Sequence, residues 1–151
     1  MSFICFQQPS GQVGIIVPSP DSSIEDITKD VPSGCAFKVM DSLPSDFDND
    51  FFNAYDYDSA NGVVANTPRA QELQKNKWRE LRSPLLSTLD VHFNMALEHA
   101  DTVGQAAIAS QKQALRDVTK TVLPSDTIAN IKATIPAILT QTYSYTPPAN
   151  S

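Results

Sequence analysis

The sequence predicts an α+β chain: a small β-rich N-terminal module over residues 1–66, an antiparallel C-terminal helical hairpin over 67–123, and a short helix with an extended tail over 124–151. Three observations carry that expectation. Short β-branched and aromatic runs crowd the first third of the chain. Apolar residues at helical spacing then run from Leu73 to Leu97, and a second, narrower stripe follows after a link of only a few residues.

The opening reads as a β-hairpin, with "FICF" and "VGIIV" as strands and Pro9 and Gly11 supplying the turn between them. In "SPDSSIEDITKDVPSG", Ser22 or Ser23 can cap a short helix whose first turn carries Glu25 and Asp26 and which stops before Pro32. "CAFKVM" alternates as a strand does. Beyond it, the acidic segment Asp41 to Asp58 is loop-like, with "FFNAYDY" readable as another strand and "DSANG" as the turn before "VVAN". Phe3, Phe6, Phe37, Phe47, Phe51, Phe52, Tyr55 and Tyr57 are the expected source of this module's core.

At "NTPRAQEL" the pattern changes to helix, with Thr67 as N-cap, Pro68 at the first helical position and Glu72 near the positive helix end. Leu73, Trp78, Leu81, Leu85, Leu89, Phe93 and Leu97 then form a broad apolar stripe, which Pro84 is expected to kink or break near Arg82. "HADTVGQ" reads as a turn. Ile108, Leu115, Val118 and Val122 give the second stripe, with Pro124 ending it, and so short a link makes the two helices fold back on each other. "SDTIANIKATIPAIL" holds one more short helix, stopped near Pro136, and "QTYSYTPPANS" is extended or disordered.

Charge narrows the function classes. Residues 1–66 hold ten acids and two bases, and residues 67–151 hold seven acids and nine bases interleaved with them. Nucleic-acid binding needs Lys and Arg clustered to displace counterions from phosphate, so it is not expected. The start "MSFICFQQPSG" lacks a basic n-region and an apolar core, so no signal peptide is expected, and no run approaches the roughly 20 apolar residues that span a bilayer. A cytoplasmic origin is the expectation. Cys5 and Cys35 lie without CxxC spacing and read as small buried apolar groups, a disulfide between them being open.

Little in the sequence points to catalysis. Asp46, Asp48 and Asp50 imitate the start of a calcium loop, yet Phe51 and Tyr57 stand where that loop needs Gly and Glu, so a solvated acidic loop is expected. The competing class is an enzyme or metal-dependent regulator with the loop from Asp46 to Asp58 as its site, and a third class is a receptor-contacting module that uses this aromatic-acidic loop as a carbohydrate surface. His92 and His99 sit two helical turns apart, about 10 Å along the axis, too far to share one metal. With five glycines, no nucleophile elbow and no phosphate loop, neither a catalytic residue nor a metal or cofactor is expected. Trp78, flanked by Lys75, Lys77, Arg79 and Arg82, reads either as a packing residue or as a partner-binding anchor.

Several stretches together resemble a known family. These are "VGIIVPSP" with "DITKDVPSGCAFKVMDSLPSD", "FFNAYDYD" leading into "PRAQEL", and "RSPLLSTLD" followed by "QALRDV". In their order and spacing, over most of residues 10 to 120, the chain resembles small tailed-bacteriophage proteins encoded with tail genes, of the tail assembly chaperone or tail-fibre-associated kind. The resemblance implies a non-enzymatic protein of the host cytoplasm during assembly and of the virion tail. It would bind a tail or tail-fibre protein at the tail tip or fibre attachment, or alternatively act as a transient assembly chaperone. Trp78, Arg82, Arg116 and Asp117 are the candidate partner-binding residues, with Asp90 able to pair with a base across the hairpin. A homo-oligomer is left open.

Overall fold

The computed structural model describes residues 1–149 and shows a mixed α/β chain with a small antiparallel sheet and several helices. Two compact units divide it: Met1–Leu73 with Ser125–Ile131, and Gln74–Pro124 with the chain from Lys132 onward.

In the first unit, β1 (Phe3–Gln7) pairs antiparallel with β2 (Val13–Ile16) on one side and β3 (Phe37–Met40) on the other, giving the order β2-β1-β3. Gly11 closes the first turn at φ 88°, a left-handed conformation open to glycine without strain. Ile4 and Cys5 on the central strand are fully buried. The α1 helix (Ile24–Thr28) starts at Ser23 with both halves of a capping box: the Ser23 hydroxyl accepts from the Asp26 N–H at 3.1 Å, and the Asp26 carboxylate accepts from the Ser23 N–H at 2.9 Å.

The strand expected across "FFNAYDY" is only half formed. Residues Asn49–Ala54 make a 3-10 helix capped by Asp48, and β4 (Tyr55–Asp58) begins after it. The segment kinks at Phe51 (φ -111°, ψ 22°), and its coiled path buries both Phe51 and Ala54, which strand alternation would have put on opposite faces. Tyr55 then organises the preceding loop, its hydroxyl accepting from the Asp48 N–H at 3.0 Å and its ring tilted against Phe47 at 4.4 Å. A second two-stranded ladder joins β4 to β5 (Gly62–Ala65), and the Asp58 carboxylate caps the turn between them. Of the expected aromatic core, Phe3, Phe51 and Tyr55 are buried, whereas Phe37 stays exposed on the β3 edge. Cys5 is buried and Cys35 only half-buried; both are free thiols.

The α2 helix (Thr67–Glu98) is one continuous element of 32 residues. Its N-cap is Asn66, not Thr67: the Asn66 side-chain oxygen accepts from the Arg69 N–H at 3.1 Å, which moves Pro68 to the second helical position. Asp56 explains the choice, since it takes the other end of the Asn66 amide at 3.0 Å and pairs with Arg69 at 2.5 Å.

In the second unit, Pro84 does not break the helix. It removes one ladder bond on the exposed face, while Trp78 and Leu89, fully buried to either side, hold the flanking turns in line. The expected stripe is narrower than the sequence suggests, because Leu81 and Leu97 are exposed. A Schellman motif ends α2: Ala100 at φ 51° turns left-handed while the Asp101 N–H reaches the Ala96 carbonyl at 2.8 Å. The expected turn through Gln105 is therefore shorter, and α3 (Thr102–Arg116) starts at once, capped by Asp101, whose carboxylate accepts from the Gly104 N–H at 2.9 Å.

The α3 helix buries Ile108 and Leu115 and ends at Arg116, well before Pro124. A 3-10 helix (Asp117–Lys120) follows, so helical phase is lost and Val122 points outward at 89% exposure, contrary to its place in the expected stripe. The α4 helix (Ile128–Ala133) and a 3-10 turn (Ala137–Leu139) complete the regular structure. Residues 140–149 carry no regular element, yet Tyr143 is buried and Tyr145 donates to the Asp101 carboxylate at 2.9 Å. Asn150 and Ser151, part of the expected extended tail, lie outside the described residues.

Candidate functional site

One face of α2 carries the best-defined surface feature of the second unit. Gln74 and Trp78 are one turn apart on that face, and both turn their N–H groups to the C-terminal end of α4 and the residue just past it. The Gln74 amide donates to the carbonyls of Lys132 at 3.2 Å and Thr134 at 3.1 Å, and the Trp78 indole N–H donates to Thr134 at 3.1 Å. Three bonds thus fix residues 132–134 against α2. Trp78 is fully covered, and Gln74 is the one buried polar side chain among the described residues. The amide oxygen of Gln74 accepts no hydrogen bond among those residues.

That arrangement leaves a pocket of about 230 Å³ lined by Gln74, Lys77, Trp78, Leu81, Lys132 and Ile135. Its lips are apolar, with Leu81 at 44% and Ile135 at 47% exposure. Its charged members are two lysines. A pocket of this make-up can receive an apolar group, and among the described residues that line it there is no carboxylate, histidine, cysteine or hydroxyl side chain.

The four residues singled out from sequence fall into two places. Trp78 forms the base of the pocket and shows no surface of its own. Arg82, one turn on, donates to the main-chain carbonyls of Arg116 at 2.8 Å and Leu115 at 3.5 Å, so α2 holds the end of α3 through its backbone. Asp117 pairs with Lys120 at 2.9 Å and accepts from Gln113 at 3.1 Å. These partners, Lys120 first, hold its carboxyl below the usual range. The expected cross-helix pair forms between Asp90 and Lys112, whose ammonium also lies 5.5 Å from the centre of the Phe93 ring. Sequence reading missed Gln74, Leu81, Lys132 and Ile135 as neighbours, because nothing local signals that residues near 134 return to the turn at Trp78.

At the far end of α3, Tyr145 and Asp101 link the tail to the helix cap. Burial, then the bond to Asp101, pushes the Tyr145 hydroxyl up from its ordinary value. In the first unit a more open cavity of about 350 Å³ is lined by Gln7, Gln8, Pro9, Ser33, Gly34 and Cys35. Among the described residues, no group of three His, Cys, Asp or Glu side chains is placed to hold a metal ion. Asp48, the centre of the acidic triplet, is used in capping the 3-10 helix, its carboxylate accepting from the Asp50 N–H at 2.9 Å. No helix of the described residues is long and apolar enough to cross a membrane.

No family model, curated protein or solved structure matches this chain.

Proposed function

We propose that the chain is a non-enzymatic bacteriophage tail protein that binds a tail or tail-fibre protein, as a virion component of the tail tip or fibre attachment. In this reading a β-rich N-terminal module, residues 1–66, precedes an antiparallel helical hairpin, residues 67–123, and the second unit carries the contact. The observation that supports binding is the display of large apolar side chains there: Leu81, Val91, Leu97 and Ile135 are 44–58% exposed and Val103 is 80% exposed. Of these, Leu81 and Ile135 line one pocket, and exposed apolar groups beside a pocket mark interaction surfaces more often than singly scattered ones do. The tail assignment is supported by the resemblance of the stretches around "DITKDVPSG", "PRAQEL" and "QALRDV".

The test is affinity purification of the tagged full chain from infected cells, with retained proteins identified and quantified. A tail or tail-fibre protein at fixed stoichiometry is expected. Recovery of the chain alone, or with nucleic acid in place of protein, contradicts the proposal.

A further inference from the structure

We infer that the outer edge of β3 takes an added strand, an extended basic segment of a protein partner that sets alternate apolar side chains against Phe37 and Val39. This edge belongs to the first unit and stands independently of the contact proposed for the second. Backbone register comes first. The Gln7 N–H donates to the Ala36 carbonyl at 2.8 Å, and bonded pairs recur at every second residue of an antiparallel ladder. Cys5 is therefore bonded to Lys38 and Phe3 to Met40, while Phe37 and Val39 direct their N–H and C=O groups away from β1. Among the described residues nothing meets those groups. The opposite edge of the sheet is occupied at its start, where the Tyr57 N–H donates to the Gly11 carbonyl at 3.2 Å and Gln12 bridges Asp56. An unpaired row of donors and acceptors is a template for main-chain pairing with another chain.

Phe37 and Val39 project to one face of the sheet and keep 44% and 45% of their surface in water, so an incoming strand covers them with its own alternate side chains. Charge selects the occupant. The first unit carries twelve acids and three bases, and one of those bases, Arg69, is already paired with Asp56. Asp41, directly after β3, is exposed, accepts from the Ser2 hydroxyl at 2.6 Å and has no cationic partner among the described residues. A basic segment meets both that field and that carboxylate. A second copy of this chain would bring the same acidic unit edge to edge. In the register that sets Phe37 against Val39, each Lys38 would also stand directly opposite its counterpart, and like charges so placed destabilise the pair.

The probe is a blocked hexapeptide, Arg-Thr-Val-Thr-Val-Arg, long enough for an edge of about 13 Å, added to the full chain while amide hydrogen exchange is read residue by residue by NMR. One twin carries glutamate in place of arginine. Another carries N-methyl groups on both valines, which removes the donors that face β3 and keeps the side chains. In the free chain the Phe37 and Val39 amides exchange fast and that of Lys38, bonded to β1, exchanges slowly. At about ten times its dissociation constant, the arginine peptide slows exchange at Phe37 and Val39 about tenfold, and at the same concentration neither twin does so. Val39→Pro removes one outward donor and spares the ladder to β1, and Asp41→Lys reverses the exposed charge; with circular dichroism unchanged, each weakens binding of the arginine peptide. No protection of Phe37 and Val39, equal protection by either twin, or undiminished binding to Asp41→Lys overturns the inference. Protection of the two amides that grows with protein concentration in the absence of peptide assigns the edge to a second copy and overturns it as well.

Discussion

The indole N–H of Trp78 donates to the carbonyl of Thr134, 56 positions later, at 3.1 Å. The same carbonyl accepts from Gln74, so one oxygen collects two donors from successive turns of α2. That shared acceptor makes the two side chains act as a pair in holding residues 132–134.

Trp78→Phe keeps most of the buried ring and loses only the donor, so it should cost about 1 kcal/mol, against about 3–5 kcal/mol for Trp78→Ala. Gln74→Leu removes both donations to Lys132 and Thr134 and should cost about 1–3 kcal/mol. The Trp78→Phe/Gln74→Leu double removes both of these donors to Thr134, and because the two share one acceptor its cost in urea unfolding should differ from the sum of the singles.

Pro84→Ala should raise the melting temperature. Pro84 sits exposed within an unbroken helix, where proline forgoes a ladder bond that alanine supplies. Proline in a helix interior costs about 3 kcal/mol relative to alanine, and the packing of Trp78 and Leu89 that already holds the helix straight keeps the gain at or below that. A lower melting temperature would show that the ring itself packs.

Ala100→Gly should also stabilise, by about 1 kcal/mol, since Ala100 holds φ 51° at the position of the Schellman motif where glycine has no Cβ penalty. Slower amide exchange at Asp101, whose N–H closes the motif onto Ala96, is the local sign of it.

The Asp26 carboxyl lies below its ordinary range because the Ser23 N–H, and then the Ser23 hydroxyl, donate to it. A depressed folded value means that its contribution to α1 is present above the ordinary carboxylate pKa of about 3.9 and fades as pH falls through the folded value. Ser23→Ala removes the hydroxyl and leaves the backbone donor, so the Asp26 pKa should rise part of the way back. Carboxyl carbon NMR titration of wild type and variant reads this directly.

Elements with a complete local signal were legible in the sequence. Gly11 in its turn, the Ser23 cap with Asp26 three residues on, and the onset of helix near Thr67 all depend on chemistry within a few positions. What was not legible depends on distant partners. Asn66 displaces Thr67 as cap because Asp56 holds its amide, and Asn49–Ala54 coils instead of extending because Phe51 and Ala54 bury together. The helix survives Pro84 because its flanking turns are packed, and Val122 leaves its stripe because a 3-10 helix shifts the phase. The candidate site followed the same rule. Trp78 stood out as the sole tryptophan and Arg82 as its neighbour, but Gln74, Leu81 and Ile135 acquire meaning only when residues 132–135 return to α2. Asp90, readable as able to pair with some base across the hairpin, pairs with Lys112, a partner that the sequence did not single out.

The most direct test of the tail assignment is quantitative mass spectrometry of purified virions of the phage that encodes this chain, with its copy number measured against the major tail protein. The account predicts the protein in the particle at a fixed low stoichiometry. Its absence from virions, with the chain found only on unassembled tail or fibre protein, would contradict the virion role and make it a transient assembly factor.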